Sequence, residues 1–454
     1  MSDSLNRREL FARAARGGAG AVLGGMALSG CAAGRSTRPA QTNLRHNPLK
    51  KVRIGFVGVG GMGSAHVRNL LKIEGAEIRA VCDIVKTKVE RVQDWCVKAG
   101  RPRPEGYWRG EYDFKRLCER EDLDLVYTAT PWRWHVPVCL AALEAGKHAV
   151  TEVPAATTLA DCWKLVEASE RTGLYCIMME NCCYDRFEMM TLNLVRKGLL
   201  GELLHGEGGY LHDLRALKFS KRGEGLWRLA HSIRRNADLY PTHGLGPVAW
   251  CMDINRGNKF DYLVSVATKS RGLNIMAARK FGPGSPRARR KYALGDIITT
   301  TIETARGETI VITHETDCPR PYSRNFLVQG TKGLARKYPD PKVYIEGRSP
   351  HDQWEDGEKY IREFDHPVWK TLEKRTRGAA GHGGMDYIED YRLIQALLEG
   401  GQPDLDVYDA AAWSAVTELS ERSIAGGSVP VKFPDFTRGA WKEKRPLGVD
   451  LVKA

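Results

Sequence analysis

Beyond its first 45 residues, the sequence has no hydrophobic run long enough to cross a membrane. It also has no internal repeats and no nucleic-acid-binding motif, so its net charge of +14 gives no reason to expect a nucleic-acid partner. With 42% hydrophobic and 27% charged residues, it has the composition of a globular protein that is long enough for two domains.

Cysteine pairs of the kind found in metal and redox sites are absent as well. None of the ten cysteines after Cys31 forms a Cys-x-x-Cys pair. Most of them lie in apolar strand or helix patterns, as Cys82, Cys139, Cys176 and Cys251 do. We therefore expect small buried hydrophobic residues rather than disulfide partners, and no metal site.

The first 45 residues have the pattern of an export signal. Asn6-Arg7-Arg8-Glu9-Leu10-Phe11 is a twin-arginine motif, and the Gly/Ala-rich run 17–30 is too short to span a bilayer. The run ends in Leu28-Ser29-Gly30-Cys31, which resembles a bacterial lipobox; the alternative is a plain signal peptide with an incidental cysteine. We expect export by the twin-arginine route to the periplasm or cell envelope, as a lipoprotein anchored through Cys31. Replacing Arg7 and Arg8 by lysine would test this, because the chain should then stay in the cytosol.

A glycine-rich turn follows the first strand of the fold. The β-branched run 52–57 indicates a buried parallel strand, and the pattern after Gly63 suits a helix. Between them Gly58 permits a tight turn, Gly60 lets backbone N–H groups approach a pyrophosphate, and Gly63 lets the helix pack on the strand. The alternative is a glycine-rich turn without a ligand. The order of strand, turn and helix favours a dinucleotide site.

A carboxylate follows the second predicted strand. Residues 77–82 end at Asp83, which lies 20 residues after Gly63. A carboxylate at this position accepts hydrogen bonds from a ribose 2′-hydroxyl and repels a 2′-phosphate. Asp83 therefore favours NAD over NADP.

Strand and helix patterns alternate from about residue 50 to residue 183. The predicted strand 123–129 leads into Thr130, the strand 147–151 leads into Glu152-Val153-Pro154, and the strand 174–179 leads into Asn181. Ligands bind at the carboxyl ends of such strands. We predict a doubly wound Rossmann domain over 50–183, preceded by a signal and linker over 1–45.

The period changes after about residue 184. A helix over 186–197 precedes alternating segments that predict one mainly antiparallel sheet, namely 203–214, 262–268, 297–304, 309–315, 325–329 and 342–345. Two amphipathic helices, 385–398 and 409–424, are expected to pack against the first domain. The second domain, 184–454, is thus α+β, and its sheet is where we expect a homo-oligomer to form.

Much of the positive charge lies in short runs. Residues 280–291 are rich in Gly, Pro and Arg and predict an exposed loop, which includes the run Arg287-Ala288-Arg289-Arg290-Lys291. Such a run is typical of a solvated surface. Charge alone does not identify a partner among anionic envelope polymers.

The layout resembles the sugar-oxidoreductase superfamily of glucose–fructose oxidoreductase and inositol dehydrogenase. The resemblance is carried by Ala129-Thr130-Pro131 after one strand and by 143–148 before Glu152-Val153-Pro154, and it covers the whole mature chain. Dehydrogenases of that superfamily have a lysine where this sequence has Val153. His243 matches their histidine, but the flanking aspartates fall on Leu239 and Gly246. The usual proton machinery of an alcohol dehydrogenase is therefore missing, although the cofactor site is intact.

Longer motifs resemble glycoside hydrolase family 109, the NAD-dependent α-N-acetylgalactosaminidases. They occur in the right order at 132–135, 152–155, 180–184, 208–215, 238–247, 321–324 and 381–386. This resemblance implies a mechanism in which tightly bound NAD takes a hydride from carbon 3 of the sugar. The glycosidic oxygen then leaves by elimination, water adds at carbon 1, and the hydride returns. Ordinary glycosidases need two carboxylates instead.

The resemblance also implies the residues of the site. The expected cofactor contacts are Met62, Gly63, Asp83, Trp132, Arg133, Trp134, His135, Glu152, Val153 and Asn181, together with the glycine turn and Tyr240. The expected substrate contacts, for a small molecule or glycan with a terminal N-acetylhexosamine, are Tyr210, Arg228, Tyr240, Pro241, Thr242, His243 and Tyr322.

Three side chains are candidates for catalysis: His243, Tyr240 and Tyr184. His243 suits proton removal near neutral pH because an unperturbed imidazole has a pKa of about 6.5. The phenols of Tyr240 and Tyr184, if their pKa is lowered beside a cationic nicotinamide, could accept the proton of the carbon 3 hydroxyl. The alternatives are a structural histidine and two core aromatic residues. Tyr322 and Trp132 are expected to stack on the sugar or the nicotinamide.

Two other classes of function remain open. One is an exported sugar oxidoreductase with tightly bound NAD(P) and net turnover, against which Val153 and Asp83 argue. The other is a non-enzymatic sugar-binding protein on the same scaffold, against which the grouping of Tyr240, His243 and Tyr322 argues.

Overall fold

The first sheet is parallel and has six strands. The computed structural model describes residues 39–452, so the twin arginines and Cys31 lie outside the described residues. In chain order the first elements are β1 (Val52–Val57), α1 (Gly61–Leu70), β2 (Ala76–Cys82), α2 (Lys86–Lys98), β3 (Glu105–Tyr107), α3 (Phe114–Cys118), β4 (Leu125–Thr128), α4 (His135–Glu144), β5 (His148–Glu152), α5 (Leu159–Thr172) and β6 (Cys176–Met179). The sheet order is β3-β2-β1-β4-β5-β6. This is the doubly wound order with a crevice at the carboxyl ends of β1 and β4.

The central strands are nearly continuous apolar runs because helices cover both faces of the sheet. Val52, Ile54, Phe56 and Leu125 are buried in one core. The helices between the strands have ordinary end signals. Thr158, for example, caps α5 by accepting a hydrogen bond from the backbone N–H of Asp161, and Gly173 ends it in the left-handed conformation.

The second sheet has nine strands. The remaining elements are α6 (Arg186–Arg196), β7 (Leu203–Leu211), α7 (Arg215–Lys218), α8 (Arg228–Arg234), α9 (Thr242–Cys251), β8 (Phe260–Ala267), α10 (Gly272–Phe281), α11 (Pro286–Arg289), β9 (Ile297–Thr304), β10 (Thr309–Glu315), β11 (Leu327–Gly330), β12 (Gly333–Arg336), β13 (Lys342–Ile345), β14 (Glu355–Asp356), α12 (Gly357–Phe364), α13 (Pro367–Thr376), α14 (Met385–Glu399), α15 (Val407–Ala425) and β15 (Val431–Lys432). The sheet order is β14-β13-β12-β11-β7-β10-β9-β8-β15.

The predicted fold class is confirmed: a doubly wound parallel sheet is followed by an α+β part whose sheet is mainly antiparallel. One strand pair is an exception, because β7 and β10 run parallel. Strands β9, β10 and β13 have the predicted bounds. The predicted exposed loop 280–291 is exposed, but it is not a loop throughout. Residue 281 ends α10, and α11 forms because Ser285 caps it with Pro286 in its first turn.

The two C-terminal helices join the sheets. Helix α14 packs against α1 and β1, whereas α15 lies between α5 of the first part and β8 of the second sheet. Helix α15 begins with a capping box formed by Asp406 and Asp409, and Trp413 is fully buried near its middle. Among the described residues, no helix is both long and apolar enough to cross a membrane. The proposed boundary between domains falls in the short turn Asn181–Tyr184, between β6 and α6.

Replacing Gly63 by alanine should destabilise the first βα unit. A Cβ at this position would lie 2.0 Å from the carbonyl oxygen of Gly58, so the helix and the turn would have to separate. We expect Gly63→Ala to lower the free energy of unfolding by about 1–3 kcal/mol and to release bound nucleotide. Gly61→Ala is the matched control in the same helix, because a Cβ there meets nothing within 4 Å. Equal melting temperatures for the two variants would contradict this packing argument.

Candidate active site

The turn between β1 and α1 is shaped to accept a phosphate group. Gly58 has a φ of +85°, and its N–H donates to the carbonyl of Cys82 at 2.7 Å. A Cβ on Gly60 would meet nothing within 4 Å, so the space beside this turn is open. No side chain caps the N-terminus of α1, which leaves its first N–H groups for a ligand. The turn therefore fits the pyrophosphate of a dinucleotide.

Asp83 lies at the carboxyl end of β2, beside that turn. Its carboxylate accepts hydrogen bonds from the N–H groups of Val59 at 3.0 Å and Val85 at 2.9 Å. These contacts leave lone pairs for ribose hydroxyls while fixing the side chain. The next residue, Ile84, is 63% exposed. If this carboxylate binds the ribose, the apolar surface beside it suits an adenine ring. The sequence argument missed Ile84, although its position directly after Asp83 was a usable signal.

The four residues predicted after β4 do not all face the same site. Both ring nitrogens of His135 lie 2.8 Å from backbone carbonyl oxygens, those of Pro154 and Thr130. His135 thus holds the turns after β4 and β5 together and is not available to a cofactor. Arg133 forms a surface ion pair with Glu111. Trp134 packs its ring on Tyr112 and Phe114.

Glu152 is held by a buried imidazole. Its Oε1 lies 2.6 Å from Nε2 of His66 on α1, and its Oε2 accepts the N–H of Val153 at 3.1 Å. The other ring nitrogen of His66 lies 2.9 Å from Oδ1 of Asp390 on α14. Burial opposes protonation of His66, but the two carboxylates outweigh it and hold its pKa well above the usual value. We call His66, Glu152 and Asp390 the imidazolium clamp.

Asn181 follows β6 and contacts a glycine-rich loop. Its amide donates to Oδ1 of Asp386 at 3.0 Å and lies 3.3 Å from Nδ1 of His382. Although burial opposes ionisation, the hydrogen bond from His382 lowers the pKa of Asp386 to about 2. The segment 381–386 therefore closes over the carboxyl end of β6. In the sequence, residues 381–386 supported the family resemblance but did not indicate this contact.

Trp132 and the predicted sugar-binding residues form one aromatic cluster. The ring of Tyr240 stacks on Trp132 with centroids 5.7 Å apart and contacts Tyr210 at 4.5 Å and His243 at 4.8 Å. The ring of Tyr322, which is 40% exposed, lies 6.3 Å from Tyr210. The structure thus brings together five residues that are spread over 190 positions of the chain.

A buried cation lies within this cluster. The guanidinium of Arg228, at the start of α8, is 5.0 Å from the ring centroids of Trp132 and Tyr240. Arg228 also pairs with Glu224. Two further aromatic residues, Trp227 and His231, pack on Trp132 and were not predicted. Aromatic faces and one fixed cation are suited to the apolar face and hydroxyls of a sugar.

His243 is oriented by a carboxylate that the sequence argument did not single out. Glu180, at the carboxyl end of β6, places Oε1 2.7 Å from Nδ1 of His243. Burial opposes ionisation of Glu180, but the charge and hydrogen bond of His243 lower its pKa. An ionised Glu180 holds a proton on Nδ1, which leaves the lone pair of Nε2 for chemistry. The signal was a glutamate directly before Asn181.

Glu180, Cys182 and His243 are the one group among residues 39–452 that could hold a metal ion. Burial raises the pKa of the Cys182 thiol well above its usual value, and the carboxylate of Glu180 is already hydrogen-bonded to the imidazole of His243. Metal binding needs the thiolate. The chemistry of this group therefore favours the Glu180–His243 pair over a metal centre. The ten cysteines among the described residues are free thiols, and nine of them are buried.

Tyr184 does not belong to the aromatic cluster. Its hydroxyl donates to Oδ2 of Asp404 at 3.1 Å, and Asp404 is itself paired with Arg392. The expected catalytic role of Tyr184 is therefore withdrawn. Burial also raises the pKa of Tyr240 well above 10, so its phenol keeps its proton in this environment. This burial suits Tyr240 to donate a hydrogen bond; its expected role as proton acceptor beside a cationic nicotinamide stays a prediction.

Pro241 and Thr242 form the start of α9, the helix that carries His243. Pro241 is the N-cap residue of this helix, and Thr242 is its first residue and fully buried. The helix packs so closely on β7 that a Cβ on Gly244 would lie 1.9 Å from the backbone nitrogen of Gly209. This contact sets the distance between His243 on α9 and Tyr210 on β7.

Two family models together match most of the chain. Residues 52–180 match an oxidoreductase family with an NAD-binding Rossmann fold. Residues 184–443 match the C-terminal domain of glycosyl hydrolase 109. The second match covers more than half of the chain and includes every predicted sugar-binding residue.

Two curated relatives align over nearly the full length. A glycosyl hydrolase family 109 protein of Solibacter usitatus is 45% identical over 447 residues, which cover 98% of this chain and 100% of the relative. A protein of Shewanella oneidensis named alpha-N-acetylgalactosaminidase is 42% identical over 455 residues, which cover 98% of this chain and 99% of the relative.

Solved structures share the fold at low sequence identity. An NAD-binding oxidoreductase from Klebsiella pneumoniae has a TM-score of 0.67 at 16% identity and covers 85% of this chain and 100% of its own. A levoglucosan dehydrogenase in complex with NADH and L-sorbose has a TM-score of 0.64 at 18% identity, with the same coverage. A scyllo-inositol dehydrogenase from Lactobacillus casei with bound NAD(H) and scyllo-inositol has a TM-score of 0.60 at 14% identity and covers 84% of this chain and 99% of its own.

Asp238 makes the stability of the site depend on pH. This buried carboxyl accepts the N–H of Tyr240, and burial raises its pKa to about 7. Because the pKa in an unfolded chain is about 3.9, the folded state holds an extra proton between pH ~4 and ~7. Stability from this group is therefore lost as the pH rises through that window.

At pH 8 we expect Asp238→Asn to raise the free energy of unfolding by up to about 4 kcal/mol relative to the native chain, and to raise the melting temperature with it. At pH 4 both quantities should change much less. Thermal unfolding of both proteins at the two pH values measures this. Asp94→Asn, at a half-exposed position on α2, is the control. A constant difference across pH would contradict the raised pKa.

Proposed function

Because this chain belongs to glycosyl hydrolase family 109, we propose that it hydrolyses terminal N-acetylgalactosaminides by oxidation, elimination, hydration and reduction, with no net redox change. The observation that carries the proposal is the Glu180–His243 pair inside the aromatic cluster, at the carboxyl ends of a parallel sheet with a dinucleotide turn. A positioned base beside a cofactor site suits elimination, whereas direct displacement needs two carboxylates flanking the bond.

Bound NAD would supply the hydride acceptor at carbon 3 of the sugar and would return the hydride at the end of the cycle. The residues that would hold it are the glycine turn, Asp83, Ile84, Val153 and Asn181. Asp83 favours NAD over NADP because its fixed carboxylate would repel a 2′-phosphate. The imidazolium clamp keeps Glu152 fixed beside this position.

The aromatic cluster would bind the sugar. The ring of Tyr240 lies against both Tyr210 and the guanidinium of Arg228, and this guanidinium can donate to the oxygens of a hydroxyl or acetamido group. Burial raises the pKa of Tyr210 to about 12, so this phenol also remains a donor near neutral pH. Both tyrosines therefore orient the sugar by donating hydrogen bonds.

His243 is the proposed base. A ketone at carbon 3 acidifies the hydrogen on carbon 2, so an imidazole can remove it. Glu180 keeps the proton on Nδ1 and stabilises the imidazolium that forms when Nε2 accepts the proton. The glycosidic oxygen then leaves from carbon 1. The proton on Nε2 exchanges with solvent, and after water adds at carbon 1 a solvent-derived proton is delivered to carbon 2.

Hydrolysis in heavy water should place deuterium at carbon 2 of the released sugar, because elimination exchanges that hydrogen. An aryl N-acetylgalactosaminide is a suitable substrate, and no net NADH should accumulate during its cleavage. Mass spectrometry and absorbance at the NADH band measure these two quantities. A product without deuterium would show that the bond is broken by direct displacement.

Four variants test the assigned roles. His243→Ala should lower kcat by roughly 10²–10⁴-fold, the usual range for a general acid or base. Glu180→Gln keeps an oxygen near Nδ1 but removes the charge, so it should lower kcat with little change in KM. Tyr240→Phe should also lower activity, whereas Tyr184→Phe is the matched control because its hydroxyl contacts Asp404 instead. Equal effects of the two tyrosine variants would contradict this assignment.

The nucleotide released by denaturing the purified protein should be mainly NAD. Asp83 is already fixed by two backbone N–H groups, so it cannot easily turn away from a 2′-phosphate. Chromatography of the released nucleotide measures the ratio of NAD to NADP. Recovery of mainly NADP would show that Asp83 does not select the cofactor.

A further inference from the structure

Residues 269–291, here called the basic segment, form the most positively charged part of the described chain. The segment has eight Lys and Arg residues and no Asp or Glu, so it supplies more than half of the net charge of +14. All eight side chains belong to exposed residues, namely Lys269, Arg271, Arg279, Lys280, Arg287, Arg289, Arg290 and Lys291. Lys280 and Arg287 lie over the ring of Phe281.

None of these eight cations forms an ion pair with a residue in the range 39–452, in contrast to cations nearby. Arg215 pairs with Asp213, and the buried Lys218 pairs with Asp317. Like charges crowded on a surface repel one another and weaken the folded state. A segment that keeps eight cations exposed and without ion pairs, four of them on its two helices, therefore has a charge pattern that its own packing does not explain.

The basic segment is fixed next to the aromatic cluster. Its helices share a small core made by Phe219, Leu273, Ala277 and Tyr292, and Leu229 and Ile233 of α8 pack against this core. Leu229 directly follows Arg228, the cation in the sugar cluster. Because α8 carries residues of both regions, one short helix connects the core of the basic segment to the sugar-binding cluster.

A second contact fixes the start of the segment. A Cβ on Gly272 would lie 1.7 Å from the carbonyl oxygen of Asp317, so α10 approaches the backbone that follows β10. The N–H groups of Arg271 and Gly272 both donate to Asp296. The chain after Asp317 leads to Tyr322, the exposed member of the cluster. The segment is thus attached to two elements of the candidate site.

Further unpaired cations surround the same region. Lys221 and Arg222 precede Trp227, and Arg234 ends α8; all three are exposed. Trp227 itself packs on Trp132 in the cluster. Exposed positive charge is therefore found both in the basic segment and on the stretch of chain that contains Trp227.

We propose that the basic segment binds negatively charged groups on the glycan whose terminal sugar occupies the aromatic cluster. The preferred substrate is then an anionic saccharide chain that ends in an N-acetylgalactosaminide. This inference rests on the proposed function. Carboxylate and sulfate groups on the inner sugars share the chemistry that Arg and Lys recognise. A carbohydrate is favoured over a membrane because the cations adjoin the elements that hold the sugar.

The test compares three oligosaccharides that end in the same N-acetylgalactosaminide, with neutral, carboxylated or sulfated inner sugars. We expect the full-length protein to have a KM about tenfold lower for the charged chains, with similar kcat, at low salt. Raising the salt to about 0.5 M should remove most of this difference, because screening shortens the range of the attraction. The two charged chains show whether carboxylates or sulfates are preferred.

The triple variant Arg279→Gln, Arg290→Gln and Lys291→Gln should raise KM for the charged chains about tenfold and leave cleavage of a neutral aryl N-acetylgalactosaminide within about twofold. The matched control removes three exposed cations from other surfaces, Lys98→Gln, Arg101→Gln and Lys197→Gln, and should change neither substrate. Equal thermal unfolding of the two triple variants checks the fold.

Two results would overturn this inference. The first is cleavage of the neutral aryl substrate together with equal KM values for neutral and charged chains. The second is binding of the protein to vesicles of anionic phospholipid that depends on the same three cations, without a KM advantage on charged chains. Failure to cleave even the aryl substrate would instead contradict the proposed function.

Discussion

The imidazolium clamp is the interaction on which the candidate site depends. His66 is sealed from water on α1, between Glu152 at the end of β5 and Asp390 on α14. Removing one member of a buried charge group leaves its partners uncompensated, which costs about 3–5 kcal/mol. One ring therefore fixes the helix after the dinucleotide turn, the strand end that faces the cofactor position, and a helix from the far end of the chain. Tyr127 and Asn69 complete the network by donating to Asp390.

Local sequence patterns were sufficient for the fold class and for the dinucleotide turn with Asp83. The glycine turn, Asp83 and the strands β9, β10 and β13 follow from periodicity and turn chemistry, which act over a few residues. The pairs His66–Asp390 and Glu180–His243 join residues 324 and 63 positions apart, so no local signal connects them. The same limit explains Tyr184, whose hydroxyl partner lies 220 positions away. The family resemblance supplied the sugar-binding residues, but it could not show that His135 is occupied by two carbonyl groups.

Burial determines the protonation states in the aromatic cluster. Phenols that lose their hydration keep their protons, so Tyr210 and Tyr240 can orient a sugar but are poor bases. In the proposed mechanism the role of base then falls to the imidazole of His243, which has an ionised carboxylate behind it. This division resembles other acid–base sites, in which the partner of a histidine sets which ring nitrogen is free. Replacement of the usual lysine by Val153 fits the same arrangement, because it removes a competing proton donor beside the cofactor position.

The attachment of α14 to α1 has a consequence for biosynthesis. Asp390 is made after about 86% of the chain, whereas the glycine turn is among the first parts of the fold to leave the ribosome. Until α14 arrives, Nδ1 of His66 lacks the carboxylate that it contacts in the finished fold. The dinucleotide turn of a growing chain is therefore present long before its support. We expect a nascent or truncated chain without α14 to hold the nucleotide less firmly than the finished one.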